Sequence, residues 1–294
     1  MLSKRLLIAL IGMEDYCVSS MPIAQTAEIN GQTLSYYEWG QPGAPVLICL
    51  HSHTNSAASW REFGEFASTN YHVFALDQRG HGNSQWSNDG YARDRFVEDL
   101  SSFVDLKNFG EMTLVGCSMG GWHSILYTAT NPHRVQRIVM VDIAPEASPE
   151  RLNAPAPPPV PMEFQTLEEG YEWLRSGNPW ASDVRLREEV EARLKSTGDG
   201  TWTWKADLMG FDNPLPDMTS AAIIERYWSA IRSIQCPILE IRGAESDLVS
   251  DETIERMKRL GNKVSSIDVS SAGHVVMVDQ PEAFIEAIRG FISL

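Results

Sequence analysis

Six short runs rich in β-branched and other apolar residues are separated by segments of helix length, and this alternation restricts the fold more than any single motif. The runs are PVLICLH (45–51), YHVFALD (71–77), MTLVGC (112–117), RIVMVDIA (137–144), PILEIRG (237–243) and VSSIDVS (264–270). Strands this apolar suit burial on both faces, and strand–helix alternation lays them side by side in a parallel sheet with helices above and below. The spacing predicts helices from about Ser56, over Arg93–Leu106, from near Met119, around 251–260 and around 282–292. Ahead of the first run, TAEINGQTLSYYEWG (26–40) reads as a β-hairpin, with Asn30-Gly31 supplying the two positive-φ residues of a tight turn. The expected class is α/β, with a mostly parallel central sheet flanked by helices.

One stretch breaks the rhythm. From Ala144 to Ile234 no strand pattern is visible; a stiff APAPPPVP (154–161) is followed by three amphipathic segments containing GYEWL, REEVEARL and IIERYW. Some ninety residues of this kind between two strands read as an inserted helical cap over 144–234. The core would then be 22–143 and 235–294, after an N-terminal extension at 1–21. That extension, MLSKRLLIALIG onward, resembles a signal peptide, but its apolar run is short, Glu14 and Asp15 follow at once, and no small-x-small cleavage site is evident. Met21 is an alternative start. The four cysteines (Cys17, Cys49, Cys117 and Cys236) form no CxxC pair and read as reduced thiols, so a cytoplasmic location is expected. A formal net charge of −15 argues against a nucleic-acid partner, because phosphate binding wants clustered Lys and Arg. No segment is long enough to span a membrane, and the oligomeric state is not readable.

Chemistry concentrates in VGCSMGG (115–121), where Gly116-x-Ser118-x-Gly120 falls between an expected strand and an expected helix. A serine on so sharp a turn presents its hydroxyl above the sheet, and residues without bulk at the flanking positions let the backbone turn. The following helix points its first N–H groups at developing negative charge. Serine needs a base to take its proton. In the chain order Ser, acid, His, the base is His274 of SSAGHVVMVDQPEAF, and the acid is Asp247 of PILEIRGAESDLVS. Glu245 and Asp142, the latter at the end of RIVMVD, stay open as alternatives for the acid.

GCSMGG, GHVVMVDQPEAF and LDQRGHGNS (76–84) together resemble the α/β-hydrolase fold superfamily over nearly the whole chain, from about Ile29 to Leu294. The resemblance implies that Asp77, Arg79 and His81 are structural and that 144–234 is the family's cap. It also bears on HSHTNSAASW (51–60), whose two histidines otherwise suggest a metal site. In the family this strand ends in His-Gly, and the next residue's backbone N–H is half of an oxyanion hole. His51 takes the place of that histidine and His53 that of the donor, while Ser52 replaces the glycine. The second donor is the N–H of Met119. A metal-hydrolase HxHxDH pattern would need Asp and His where Asn55 and Ser56 stand. His123 is expected to pack behind the nucleophile, and His72 and His133 to lie at the surface. Trp122, Trp202, Trp204 and Trp228 are candidates for lining an apolar pocket.

The expected activity is a serine hydrolase cleaving a carboxylic ester of a small, largely apolar molecule through an acyl-enzyme, with no metal or organic cofactor. Alternatives are a C–C bond hydrolase acting on ring-cleavage products, a cofactor-free perhydrolase, and a non-catalytic binder of small ligands.

Overall fold

The computed structural model describes residues 22–155, 158–210 and 219–293. The N-terminal extension with its signal-peptide and Met21 alternatives, and part of the proline run, lie outside the described residues. Eight strands form one sheet in the order β1-β2-β4-β3-β5-β6-β10-β11. They are β1 (Ile23–Ile29), β2 (Gln32–Trp39), β3 (Val46–Leu50), β4 (His72–Leu76), β5 (Met112–Cys117), β6 (Val135–Val141), β10 (Ile238–Gly243) and β11 (Val264–Val269). The β1–β2 and β2–β4 pairs are antiparallel, and the others parallel. Asn30 and Gly31 turn the first hairpin with φ of 50° and 79°, as the Asn-Gly pair demands.

Helices cover both faces. On one, α1 (Arg61–Ala67) and α10 (Pro281–Ile292) bury Phe63, Phe284 and Ile288 with Trp60 against the sheet. On the other lie α2 (Arg93–Leu106) and α3 (Met119–Thr130). Residues 119–128 of α3 are all buried, which makes it a core helix apolar on nearly every side. The remaining core helix α8 (Asp251–Leu260) precedes β11, and a short α9 (Val276–Asp279) precedes α10.

The segment between β6 and β10 departs from the purely helical expectation. After α4 (Pro149–Asn153) come α5 (Leu167–Gly177) and α6 (Asp183–Arg193), but also a three-stranded antiparallel sheet, β7-β9-β8. Its strands are β7 (Glu163–Phe164), β8 (Leu194–Ser196) and β9 (Trp202–Trp204). Runs of two or three residues are too short to show a period of two, so the pattern could not reveal them. Trp204 closes this small sheet against Phe164 and Trp173, with ring centroids 5.6 and 5.3 Å away. The last helix of the segment, α7 (Ala221–Ser233), packs on the main core. Its Tyr227 stacks on Trp122 of α3 at 5.4 Å, and Trp228 is fully buried. Trp122, Trp204 and Trp228 are therefore packing residues. No described helix is long and apolar enough to cross a membrane.

Candidate active site

β5 runs straight into α3 through Ser118, whose φ of 50° and ψ of −115° put a non-glycine residue in a sparsely populated conformation. Such strain costs on the order of 1–3 kcal/mol and persists only where its surroundings enforce it. The glycines are the enforcement. A Cβ on Gly116 would lie 2.4 Å from the Gly120 carbonyl, one on Gly120 2.2 Å from the Leu50 oxygen, and one on Gly121 2.4 Å from Ile143 Cγ2. Strand and helix thus approach too closely for any side chain, and the serine is held half-exposed at the C-terminal edge of the sheet among buried neighbours. Met119 opens α3, so its N–H has no acceptor within the helix and points from the positive end of the dipole.

β6 pairs directly with β5, Cys117 opposite Val141, and the ladder continues one step further as Ser118 N donates to Val141 O at 3.1 Å. Asp142 is therefore the residue beside the serine at the next strand tip. It is fully buried and meets three donors: His274 Nδ1 at 2.7 Å and Ser246 Oγ at 2.6 Å on Oδ2, and Gly243 N at 3.3 Å on Oδ1. His274, with a side chain 39% exposed, lies on the loop after β11, and its backbone oxygen is 3.8 Å from Cys117 Sγ. The ring's one hydrogen bond is that to Asp142; Ser118 Oγ forms none among the described residues.

The expected acid, Asp247, is not in this constellation. Its carboxylate is 3.8 Å from Arg151, and its backbone oxygen accepts from Ser148 Oγ. The turn after β10 explains the exchange. Ser246 N donates to Gly243 O and Glu245 N to Ala272 O, a tight reversal that sends Ser246 inward and Asp247 outward. Glu245 is exposed. The partner of His274 is Asp142.

Two further carboxyls surround the pair, and the sequence pattern did not single them out. Glu240 of β10 is fully buried and accepts from Ile143 N at 3.0 Å. Burial first, and then the nearby Asp142, push its carboxyl well above the usual range. Asp279 accepts from Gly273 N at 2.8 Å, bracing the residue before His274. Burial raises it to about 6, against the pull of that hydrogen bond and of His274 and Arg175. The only signal for Asp279 was its place in GHVVMVDQPEAF.

The His51–Trp60 loop is structural in its rings. His51 donates from Nδ1 to Ser52 O at 2.8 Å and accepts at Nε2 from Gln78 N at 2.9 Å, so both nitrogens are engaged by protein. Burial, reinforced by the neighbouring His53 and Arg193 charges, lowers His51 to about 4. His53 is likewise lowered to about 4 by burial, Arg193 and Arg93. Among the described residues no group of three His, Cys, Asp or Glu side chains is arranged to hold a metal ion. Asp77 Oδ1 accepts from Ala57 N at 2.7 Å and Oδ2 from Asn83 N at 2.9 Å, tying this loop to the one after β4. Arg79 binds Asp99 through two bonds of 2.7 and 2.8 Å, and His81 donates to Arg79 O at 2.9 Å. These three act as scaffold. His123, fully buried, bonds Gln78 Oε1 at 2.7 Å behind the elbow; His72, expected at the surface, is buried and pairs with Glu38 at 2.7 Å.

A sheet with this strand order, a strained serine between β5 and α3, and a histidine after the last strand define a hydrolase of the α/β type. The family model for the alpha/beta hydrolase fold matches residues 45–281, and the chain belongs to that family. It is 30% identical over 259 residues to the 3-hydroxybutyrate-oligomer hydrolase of Cupriavidus necator, covering 82% of this chain and 86% of that one. An esterase of Mycobacterium tuberculosis is 25% identical over 281 residues, 92% of this chain and 90% of its own. Among solved structures, E-2-(acetamidomethylene)succinate hydrolase superposes with a TM-score of 0.77 at 25% identity, covering 93% of this chain and all of that one.

Proposed function

We propose that the protein hydrolyses a carboxylic ester of a small, largely apolar molecule through an acyl-enzyme on Ser118. Asp142 replaces Asp247 as the acid. In this reading His274 takes the proton of Ser118 and returns it to the leaving alcohol, and Asp142 fixes the Nδ1–H tautomer and stabilises the imidazolium. The N–H groups of Met119 and His53 receive the oxyanion. Water then attacks the acyl-enzyme with His274 again as base.

The observation that carries the proposal is the 2.7 Å His274–Asp142 bond beside a serine forced into the elbow conformation. Names among the relatives are consistent with acyl chemistry, since one acts on a 3-hydroxybutyrate oligomer and another is an esterase. Purified protein should hydrolyse short-chain p-nitrophenyl esters and take up a fluorophosphonate at Ser118. Ser118→Ala should cost about 10⁴- to 10⁶-fold in turnover. Folded protein that neither turns over an ester nor labels would sink this reading. Screening 3-hydroxybutyrate oligomers and dienone-type C–C substrates alongside the esters assigns the scissile bond.

A further inference from the structure

Helix α6 meets the His51–Trp60 loop through three buried polar side chains spaced by four residues, one stripe of the helix. Arg185 Nη2 donates to Ala58 O at 3.2 Å, and Glu189 Oε2 accepts from Ser59 Oγ at 3.0 Å. Arg193 donates from Nε to Thr54 O at 3.0 Å and from Nη2 to Thr54 Oγ1 at 2.8 Å. Burying charge is expensive, and an apolar seam would join the two segments at lower cost. Arg193 is the extreme case: it is 7% exposed, and among the described residues no carboxylate lies within 4 Å of it. Its side chain spends two charged donors on a single residue.

That residue is Thr54, with a φ of +66°. A β-branched residue in the left-handed region is an outlier, since its branched Cβ crowds the backbone there. Asn55 N closes a turn onto Ser52 O at 3.1 Å with Thr54 at the inner position before Asn55, so the positive φ at 54 is part of what brings that N–H onto the carbonyl. Ser52 O and the His53 N–H lie in one peptide plane, so fixing the carbonyl fixes the direction of the N–H.

We propose that Arg193 is a positioning residue for the oxyanion hole: by gripping both the carbonyl and the hydroxyl of Thr54 it holds the left-handed turn that aims the His53 N–H. The inference rests on the reading of Ser118 as an acyl-transfer nucleophile. It makes the hole a product of three segments, with one anchor supplied by the insertion between β6 and β10, so that the hole is complete only while α6 is seated.

Kinetics on p-nitrophenyl butyrate test it. Arg193→Ala should lower kcat about 10- to 100-fold, less than outright loss of an oxyanion donor, with KM within about threefold because ground-state binding is untouched. Methylguanidinium should restore part of the lost kcat. Thr54→Gly accepts a positive φ without strain, so Thr54→Gly/Arg193→Ala should be at least about threefold faster than Arg193→Ala alone. Should Arg193→Ala not fold by circular dichroism, the decision passes to Thr54→Val. That variant keeps the branch but loses the hydroxyl anchor, and should lower kcat severalfold at constant KM. A wild-type kcat in the folded variant, or a raised KM confined to carboxylate-bearing esters, overturns the inference; the latter would make Arg193 an anion subsite. Inactive, unlabelled wild-type protein would instead count against the hydrolase reading itself.

Discussion

Asp142 and Asp247 follow neighbouring strands, β6 and β10, and a carboxylate from either tip has the reach to meet His274. What separates them is the reversal at Gly243–Ser246, which points a hydroxyl at Asp142 and leaves Asp247 beside Arg151. Asp142→Asn should therefore lower kcat by about 10³- to 10⁴-fold, because an amide offers His274 Nδ1 a donor and selects the wrong tautomer. Asp247→Asn should stay within a few fold. The comparison is read from kcat on a p-nitrophenyl ester, and the reverse ranking would displace Asp142 from its role. The places of Ser118 between β5 and α3 and of His274 in the loop after β11 were legible, because a glycine-flanked strand-to-helix turn and a loop before a terminal helix leave marks in the linear pattern. Which carboxylate meets His274 was not, because that depends on a turn four residues long whose hydrogen bonds cross between strands. Arg193 left no mark either: an arginine ending a helix this rich in charge looks like any surface cation until its partner is known.

At the level of elements, close approach decides which glycines matter. Gly120 sits where α3 crosses the end of β3, with room for no further atom, whereas Gly290 in α10 has nothing within 4 Å of a built Cβ. Gly290→Ala should stabilise the protein by about 0.5–1 kcal/mol, the helix-propensity difference. Gly120→Ala must push backbone apart and should destabilise it by more than about 3 kcal/mol, or prevent folding. Urea midpoints compare the two, and equal effects would refute the packing account. The same scale shows why the six parallel strands were readable and the small sheet β7-β9-β8 was not. Strands buried on both faces are apolar throughout, while β7, β8 and β9 are fixed by the tertiary fit of Phe164, Trp173 and Trp204. Helix α7 carries an amphipathic pattern that says one face is buried, but not that its partner is α3 rather than α5 or α6.

Over the whole molecule, the buried titratable groups pull in two directions as the pH falls. His51 and His53 are held near 4, and His81 and His123 well below their usual value, by burial first of all. Unfolded chains bind these protons at about 6.5 and the native state does not, so the stability they leave intact above pH 6.5 is lost on going down toward 4. Asp279, raised to about 6, works the other way: between about 6 and 4 the native state holds a proton that the unfolded chain releases, a gain that disappears as the pH rises through 6. Glu240, Asp77 and Glu62, all raised by burial first of all, stand with Asp279 against the four rings over this range. Asp279→Asn isolates one component, since the amide oxygen still accepts from Gly273 N but no longer titrates. Relative to wild type the variant should be favoured at pH 7.5, where the native protein bears a buried carboxylate. That advantage should shrink by about 2 kcal/mol by pH 4.5, since the drop from about 6 to 4.5 spans some one and a half pKa units of the difference. Urea unfolding of both proteins at several pH values between these limits measures the difference directly. A difference that does not change with pH would mean that Asp279 is solvated as an ordinary surface carboxylate, and that the loop carrying His274 is more open than the close approach of its Gly273 to Trp180 requires.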